Sequence, residues 1–187
     1  PLASRAAAPH RKDWMVNFRL DPIVVTGYHG TSRRAADRIL ADGFVPSVNE
    51  WDWLGHGVYF WQDAPIRAFR WALERLDDPV VVAAQIRLDG FVDLLDQRGL
   101  KTLQDFAADF EKKEQSTRLA NASGANRLDC AVFNFATGVL SWLGEEVTGY
   151  RAACVEGKPL TPGSPIYDLS HVQLVVIDHR AILETWI

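Results

Sequence analysis

Two cysteines are too few for a disulfide framework, and neither Cys130 nor Cys154 stands in a Cys/His spacing that ligates a metal. The expectation is free thiols in a reducing compartment, with no metal required. Long apolar runs are missing too: none approaches the roughly 20 residues that span a bilayer, and the stretch PLASRAAAPHRKDW has no apolar core of a leader peptide. These features predict a cytoplasmic protein with no membrane partner. Nor is there an excess of positive charge. With 20 Lys and Arg against 24 Asp and Glu, the net charge is −4, so a nucleic-acid partner would need a local basic patch.

What is present is ordinary globular material, 48% apolar and 24% charged over 187 residues, enough for one domain with a full core. The Ala/Arg-rich start reads as a flexible arm over 1–13, and the domain as 14–187. Ile23 to Tyr28 is a β-branched run that predicts a buried strand. A helix follows from Ser32, with Ala35, Ala36, Ile39 and Leu40 at helical spacing and Gly43 closing it. GHGVYFW is a second short strand. APIRAFRWALERL opens on Pro65 and sets Ile66, Phe69, Leu73 and Leu76 on one helical face. VVVAAQIRL and FVDLLD read as strands, LKTLQDFAADFEKKEQ as an amphipathic helix, and LDCAVFNFATGVLSWL as a largely apolar, buried helix. GYRAACVEG, HVQLVVID and AILETWI return to strands, the first two joined by a Pro/Gly loop. Mixed elements early and strands late predict an α+β fold.

Two constellations carry chemistry. In YHGT, an isolated His29 reads most simply as a core histidine satisfied by a backbone carbonyl, but its neighbours add to it. Gly30 has no Cβ and leaves backbone N–H and C=O open to a flat amide, and Thr31 adds a hydroxyl. Such an edge can hold a carboxamide and a ribose hydroxyl. In WLGHGVYFW the aromatic residues Trp53, Tyr59, Phe60 and Trp61 read either as core or as a cleft wall. Strand alternation turns Tyr59 away from Phe60, so one ring packs while the other faces a cleft. His56, between Gly55 and Gly57, reads as loop material as readily as a catalytic group.

The ordered set of YHGT, a helix ending in GF, and GHGVYF resembles the ADP-ribosyltransferase superfamily in its His-Tyr branch, which includes the poly(ADP-ribose) polymerases and diphtheria-type toxins. The resemblance runs from Val24 to Ala72 and thins afterwards. It implies an ADP-ribosyltransferase-like split β-sheet core with flanking helices and NAD as substrate. The implied pocket is Tyr28, His29, Gly30, Thr31, Tyr59 and Phe60. His29 would hold the ribose 2′-hydroxyl, Gly30 the carboxamide, and Tyr59 the nicotinamide face. The family's late-strand acid, usually Glu, aligns with Gln173 in QLVVID. A carboxamide carries no charge to steady an oxocarbenium-like state, so the departure favours mono-transfer over chain elongation. Glu156 in CVEGKPL is the alternative acid, while Glu145 and Glu146 read as solvated surface. His171 should share a face with Gln173.

The resulting expectation is a mono-ADP-ribosyltransferase with catalytic His29, Tyr59 and Gln173. It would release nicotinamide and modify a protein or nucleic-acid acceptor, as a toxin or defence effector with an antitoxin or neighbouring domain for partner. Ser47–Trp53 and Ser116–Arg127 are the expected acceptor contacts. Two alternatives stay open: an NAD-binding pseudoenzyme, motivated by Gln173, and an NAD-dependent RNA 2′-phosphotransferase, for which Arg33 and Arg34 supply basic residues.

Overall fold

The computed structural model describes residues 23–112, 120–122 and 125–187. The expected arm, the domain start at Trp14, the end of the helix expected to reach Gln115, and positions 116–119 and 123–124 of the expected acceptor segment lie outside the described residues. Nine strands and four α-helices are described, in the order β1 (Val24–Ser32), α1 (Arg33–Asp42), β2 (Val58–Gln62), α2 (Pro65–Arg75), β3 (Pro79–Arg87), β4 (Phe91–Asp93), α3 (Gln97–Glu111), β5 (Asn121–Ala122), β6 (Ala125–Asn126), α4 (Arg127–Trp142), β7 (Gly149–Cys154), β8 (His171–Val176) and β9 (Ile182–Trp186). Seven strands form one mixed sheet in the order β4-β7-β8-β2-β1-β3-β9, with β4 and β7 parallel and every other pair antiparallel. The remaining two, β5 and β6, make a separate hairpin. The expected α+β class holds at this level.

The sheet is unevenly stitched. β1 pairs with β3 along its whole length, from Val24–Arg87 to Ser32–Pro79, and β2 pairs with β8 from Val58–Val176 to Gln62–Val172. Between β1 and β2 the ladder consists of Gly27–Gln62 and Tyr28–Trp61 alone. Beyond Tyr28 the two halves part.

Strand β1 continues through YHGT, where the sequence suggested a strand end at Tyr28. The reason is local. Ser32 ends the strand and caps the helix at once, its hydroxyl accepting from Ala35 N, so no turn intervenes. At the far end the Gly43 N–H reaches Ile39 O, which closes α1 where expected. β4 is only three residues long because Asp96 leaves the strand to cap α3, its carboxylate accepting from Arg98 N.

Strand alternation feeds two cores. On one face Phe60, Val82, Ala84, Ile86, Leu174 and Val176 pack with Ala36 of α1 and with Phe44. On the other, Tyr150 and Val175 pack under Leu103, Phe106 and Phe110 of α3 and Phe133 and Ala136 of α4. The apolar helix α4 is buried along one side only, since Trp142 is 83% exposed. Helix α2 departs further from expectation. Ile66 (75% exposed), Phe69 and Leu73 face out, and the packed residues are Ala68 and Ala72. A Cβ on Gly30 would stand 2.2 Å from Ala68 O and 3.3 Å from Ala72 Cβ, so the helix lies against bare strand backbone and only small residues fit the contact.

Candidate functional site

Register places Tyr28, Trp61, Gln173 and Ala152 side by side across β1, β2, β8 and β7, and therefore on one face of the sheet. Tyr59, Cys154 and His171 follow on the same face by alternation, with Cys154 directly opposite His171. Where this face is left uncovered, a cleft of about 450 Å³ opens. Its walls include Trp53, Trp61, Arg67, Trp71, Glu156 and Gln173, together with Cys154 and His171. The volume falls within the range of about 300–1,000 Å³ usual for small-molecule sites.

The polar chemistry of the cleft is unbalanced. Gln173 is buried, and its Oε1 accepts from Trp53 Nε1 at 2.6 Å. Arg67 lies over the Trp61 ring, 5.7 Å from its centroid, and donates to Glu156 Oε2 at 2.6 Å. Arg75 lies 5.2 Å over Trp71. Among the described residues, three buried side-chain polar atoms have no hydrogen-bond partner: Trp61 Nε1, Arg67 Nε and His171 Nε2. All three belong to residues that line this cleft. Buried polar atoms are normally paired, so their convergence marks the cleft as a place where polar partners are wanted. Burial lowers the His171 pKa, against the opposing effect of the Nδ1 bond to Leu169 O. Burial also raises the Cys154 thiol pKa, the nearby Glu156 carboxylate adding to the rise.

The YHGT motif lies differently. His29 points to the opposite face, where its ring meets Phe44 and Phe60 edge-on at 5.5 and 5.9 Å. Its Nδ1 reaches Tyr59 O at 2.9 Å, across the opening between β1 and β2. A carbonyl can only accept, so Nδ1 carries the proton. Burial holds the imidazole pKa below its usual value. The ring is half-buried beside the first core, with Nδ1 held by a backbone carbonyl. Gly30 does permit a close approach, but the group that makes it is α2. Thr31 is buried and Phe60 is fully enclosed in the first core.

Tyr59 faces the second core, with its hydroxyl donating to Gly55 O at 2.7 Å and accepting from Leu54 N at 3.0 Å. Desolvation raises its pKa well above the ordinary phenol value. Its aromatic body is a strut for the loop before β2, and Gly55, at φ +80°, lets that loop pass against Phe133. His56 is exposed; its backbone N–H, rather than its ring, is anchored, to Asn134 Oδ1. Glu146 pairs with Arg180 at 2.5 Å, away from the cleft residues.

Of the expected site residues, then, Gln173, Glu156 and His171 come together in the cleft, Tyr59 lies beneath the same face, and His29 does not join them. Trp71, Arg67 and Cys154 are cleft residues that sequence reasoning did not assign. Trp53 and Trp61, left open between core and cleft wall, both line the cleft. Arg67 and Trp71 are four apart on α2 and so share a helical face. The metal-ligand pattern that the linear sequence lacks arises across β7 and β8, where Cys154, Glu156 and His171 converge.

No family model and no solved structure matches the chain. An uncharacterized protein of Methanocaldococcus jannaschii is 40% identical over 48 residues, which make up 25% of this chain and 22% of that protein. The chain thus matches about a fifth of that relative's length. Among the described residues, no helix is long and apolar enough to cross a membrane.

Proposed function

We propose that the chain is an NAD-dependent mono-ADP-ribosyltransferase whose reaction takes place in the Trp61–Gln173 cleft. The observation that carries the reading is the meeting, in one cleft, of two indoles, a carboxylate and a buried carboxamide: Trp61 and Trp71, Glu156, and Gln173. The ordered YHGT and GHGVYF motifs support it, as does a sheet whose halves part after a two-pair ladder, in keeping with the split-sheet architecture that the resemblance implies. Arg67 lies over Trp61 and Arg75 over Trp71, so a nicotinamide ring that stacks on either indole takes the place of a guanidinium. As the C1′–N bond breaks, its electron pair passes to the pyridinium nitrogen and neutral nicotinamide leaves. Positive charge then grows on the ribose, and the Glu156 carboxylate is the cleft's anionic group to steady it. Gln173 orients a hydroxyl without charge. The acceptor is a macromolecule, protein or nucleic acid.

Nicotinamide release from purified protein and NAD tests this. Glu156→Gln should lose about 10²-fold or more in rate, and Gln173→Ala less. A parent protein that binds NAD but releases no nicotinamide, with or without acceptors, overturns the enzyme reading. That result would favour an NAD-binding pseudoenzyme, a reading supported by two existing engagements: Gln173 is already held by Trp53, and Glu156 by Arg67.

A further inference from the structure

We propose that Cys154, Glu156 and His171 form a Zn²⁺ site on the wall of the cleft. A ring nitrogen of His171, the Cys154 sulfur and a Glu156 carboxylate oxygen all lie within 4.8 Å of one another. Cys154 and His171 are direct cross-strand partners on β7 and β8, so a rigid ladder fixes two of the three donors. Glu156 follows two residues after Cys154, in the segment that leaves the strand.

The imidazole is prepared for a metal. Its Nδ1 meets Leu169 O at 2.8 Å and must donate there, which leaves Nε2 unprotonated, and Nε2 is buried with no hydrogen-bond partner. A ligating histidine whose other nitrogen donates to a backbone carbonyl has its tautomer and ring orientation set in this way. An ion at Nε2 would satisfy the orphaned lone pair.

The donor set selects the metal. One thiolate, one imidazole and one carboxylate suit Zn²⁺, whereas Mg²⁺ and Ca²⁺ take oxygen donors. Three protein ligands leave the fourth tetrahedral position to water. Zinc–ligand distances of about 2.0–2.3 Å put tetrahedral donors roughly 3.3–3.8 Å apart, so a pair at the cluster's 4.8 Å limit must draw in by about 1–1.5 Å. Rotation of Glu156, whose side chain is 46% exposed, supplies that movement. Arg67 engages Oε2 and leaves Oε1 for the metal. With the thiol deprotonated, the charges of Cys154, Glu156 and Arg67 sum to −1, which still attracts a dication. Zinc bound here takes up the Glu156 carboxylate, so metal binding and the proposed transfer exclude one another.

The test is a binding measurement on the full, untagged, reduced chain, which makes it independent of any transferase activity. The protein is stripped with a chelator, then titrated with Zn²⁺ against a chromophoric competitor and with Co²⁺ as a spectroscopic substitute. The expected result is one ion per chain and a thiolate-to-cobalt absorption band. Cys154→Ser, Glu156→Gln and His171→Ala should each weaken Zn²⁺ binding by at least about 10-fold, and Cys130→Ala should leave it unchanged. Cys154→Ser and Glu156→Gln, nearly isosteric, keep the test valid if His171→Ala fails to fold. Absence of stoichiometric Zn²⁺ in the parent, equal affinity in Cys154→Ser, or a cobalt complex without the thiolate band overturns the site.

Discussion

Arg67 on α2 and Glu156 beyond β7 are 89 residues apart in sequence, and their side chains meet at 2.6 Å. The pair is asymmetric: the Arg67 side chain is 13% exposed and that of Glu156 46%. Arg67 also covers Trp61, so its aliphatic stem and guanidinium plane do packing work that its charge alone does not describe. Glu156, with nearly half its side chain in water, adds little through the ion pair itself.

It follows that the two partners differ in their effect on stability. Arg67→Ala should lower unfolding free energy by about 1–3 kcal/mol through lost stacking, lost stem packing and an exposed indole. Arg67→Met should retain much of that, because the stem remains. Glu156→Gln should stay within about 1 kcal/mol of the parent. Urea midpoints at constant m-value check the order, and a Glu156 variant costing as much as Arg67→Ala would contradict it.

Two glycines make a second contrast. A Cβ at Gly30 meets the Ala68 carbonyl oxygen at 2.2 Å, a backbone atom that cannot turn aside, so α2 must shift as a body. Gly30→Ala should destabilise by about 1–3 kcal/mol or more. Gly138, in the interior of α4, has nothing within 4 Å of an added Cβ. Gly138→Ala should therefore stabilise by up to about 1 kcal/mol through helix propensity. Thermal or urea unfolding of both variants reads the two signs directly.

Burial lowers the pKa of His29 from 6.5, against the smaller opposing effect of its bond to Tyr59 O. With the folded value below the unfolded one, the unfolded chain binds more protons in the window between them, so stability rises with pH there. On acidification below about 6.5 the contribution is lost progressively, until the folded pKa is passed. His171 shifts in the same direction, so the parent alone does not isolate either ring. The difference between parent and His29→Gln unfolding free energies across pH 7 to 5 does, and it should shrink as pH falls. A constant difference would mean that His29 titrates alike in both states.

Much of the architecture was legible because it rests on local rules. Ser32 and Gly43 bounded α1 as capping chemistry requires, and the strand-like runs at β2, β3 and β8 became strands. What misled was context. The face of α2 was read from Ile66, Phe69 and Leu73, yet the packing partner is a glycine, against which only Ala68 and Ala72 fit. YHGT was read as an open edge; β3 pairs one side of it throughout and α2 covers Gly30, while on the β2 side the ladder stops at Tyr28. The cleft was half visible: Gln173, Glu156 and His171 were candidates singly. Their meeting with Arg67, Trp71 and Cys154 depends on strand pairing at long range, which no local spacing encodes.

The division of labour between Tyr59 and Trp61 gives the last prediction. Both lie on the cleft face of β2, but the Tyr59 hydroxyl is committed to Gly55 O and Leu54 N, whereas Trp61 lines the cleft and its Nε1 is unpartnered. Removing the phenol oxygen strands the Leu54 N–H, so Tyr59→Phe should cost about 1–3 kcal/mol of stability while leaving NAD affinity near the parent's. Trp61→Ala removes an aromatic wall of the proposed site. It should weaken NAD binding by about 1–3 kcal/mol, and Trp61→Phe, which keeps a flat face, by less. Calorimetric NAD titration of variants first shown to be folded by near-UV dichroism measures each term separately. If Tyr59→Ala, folded, loses NAD affinity and Trp61→Ala keeps it, the nicotinamide belongs against Tyr59, as the motif resemblance alone implies, and the cleft lined by Trp61 is not its site.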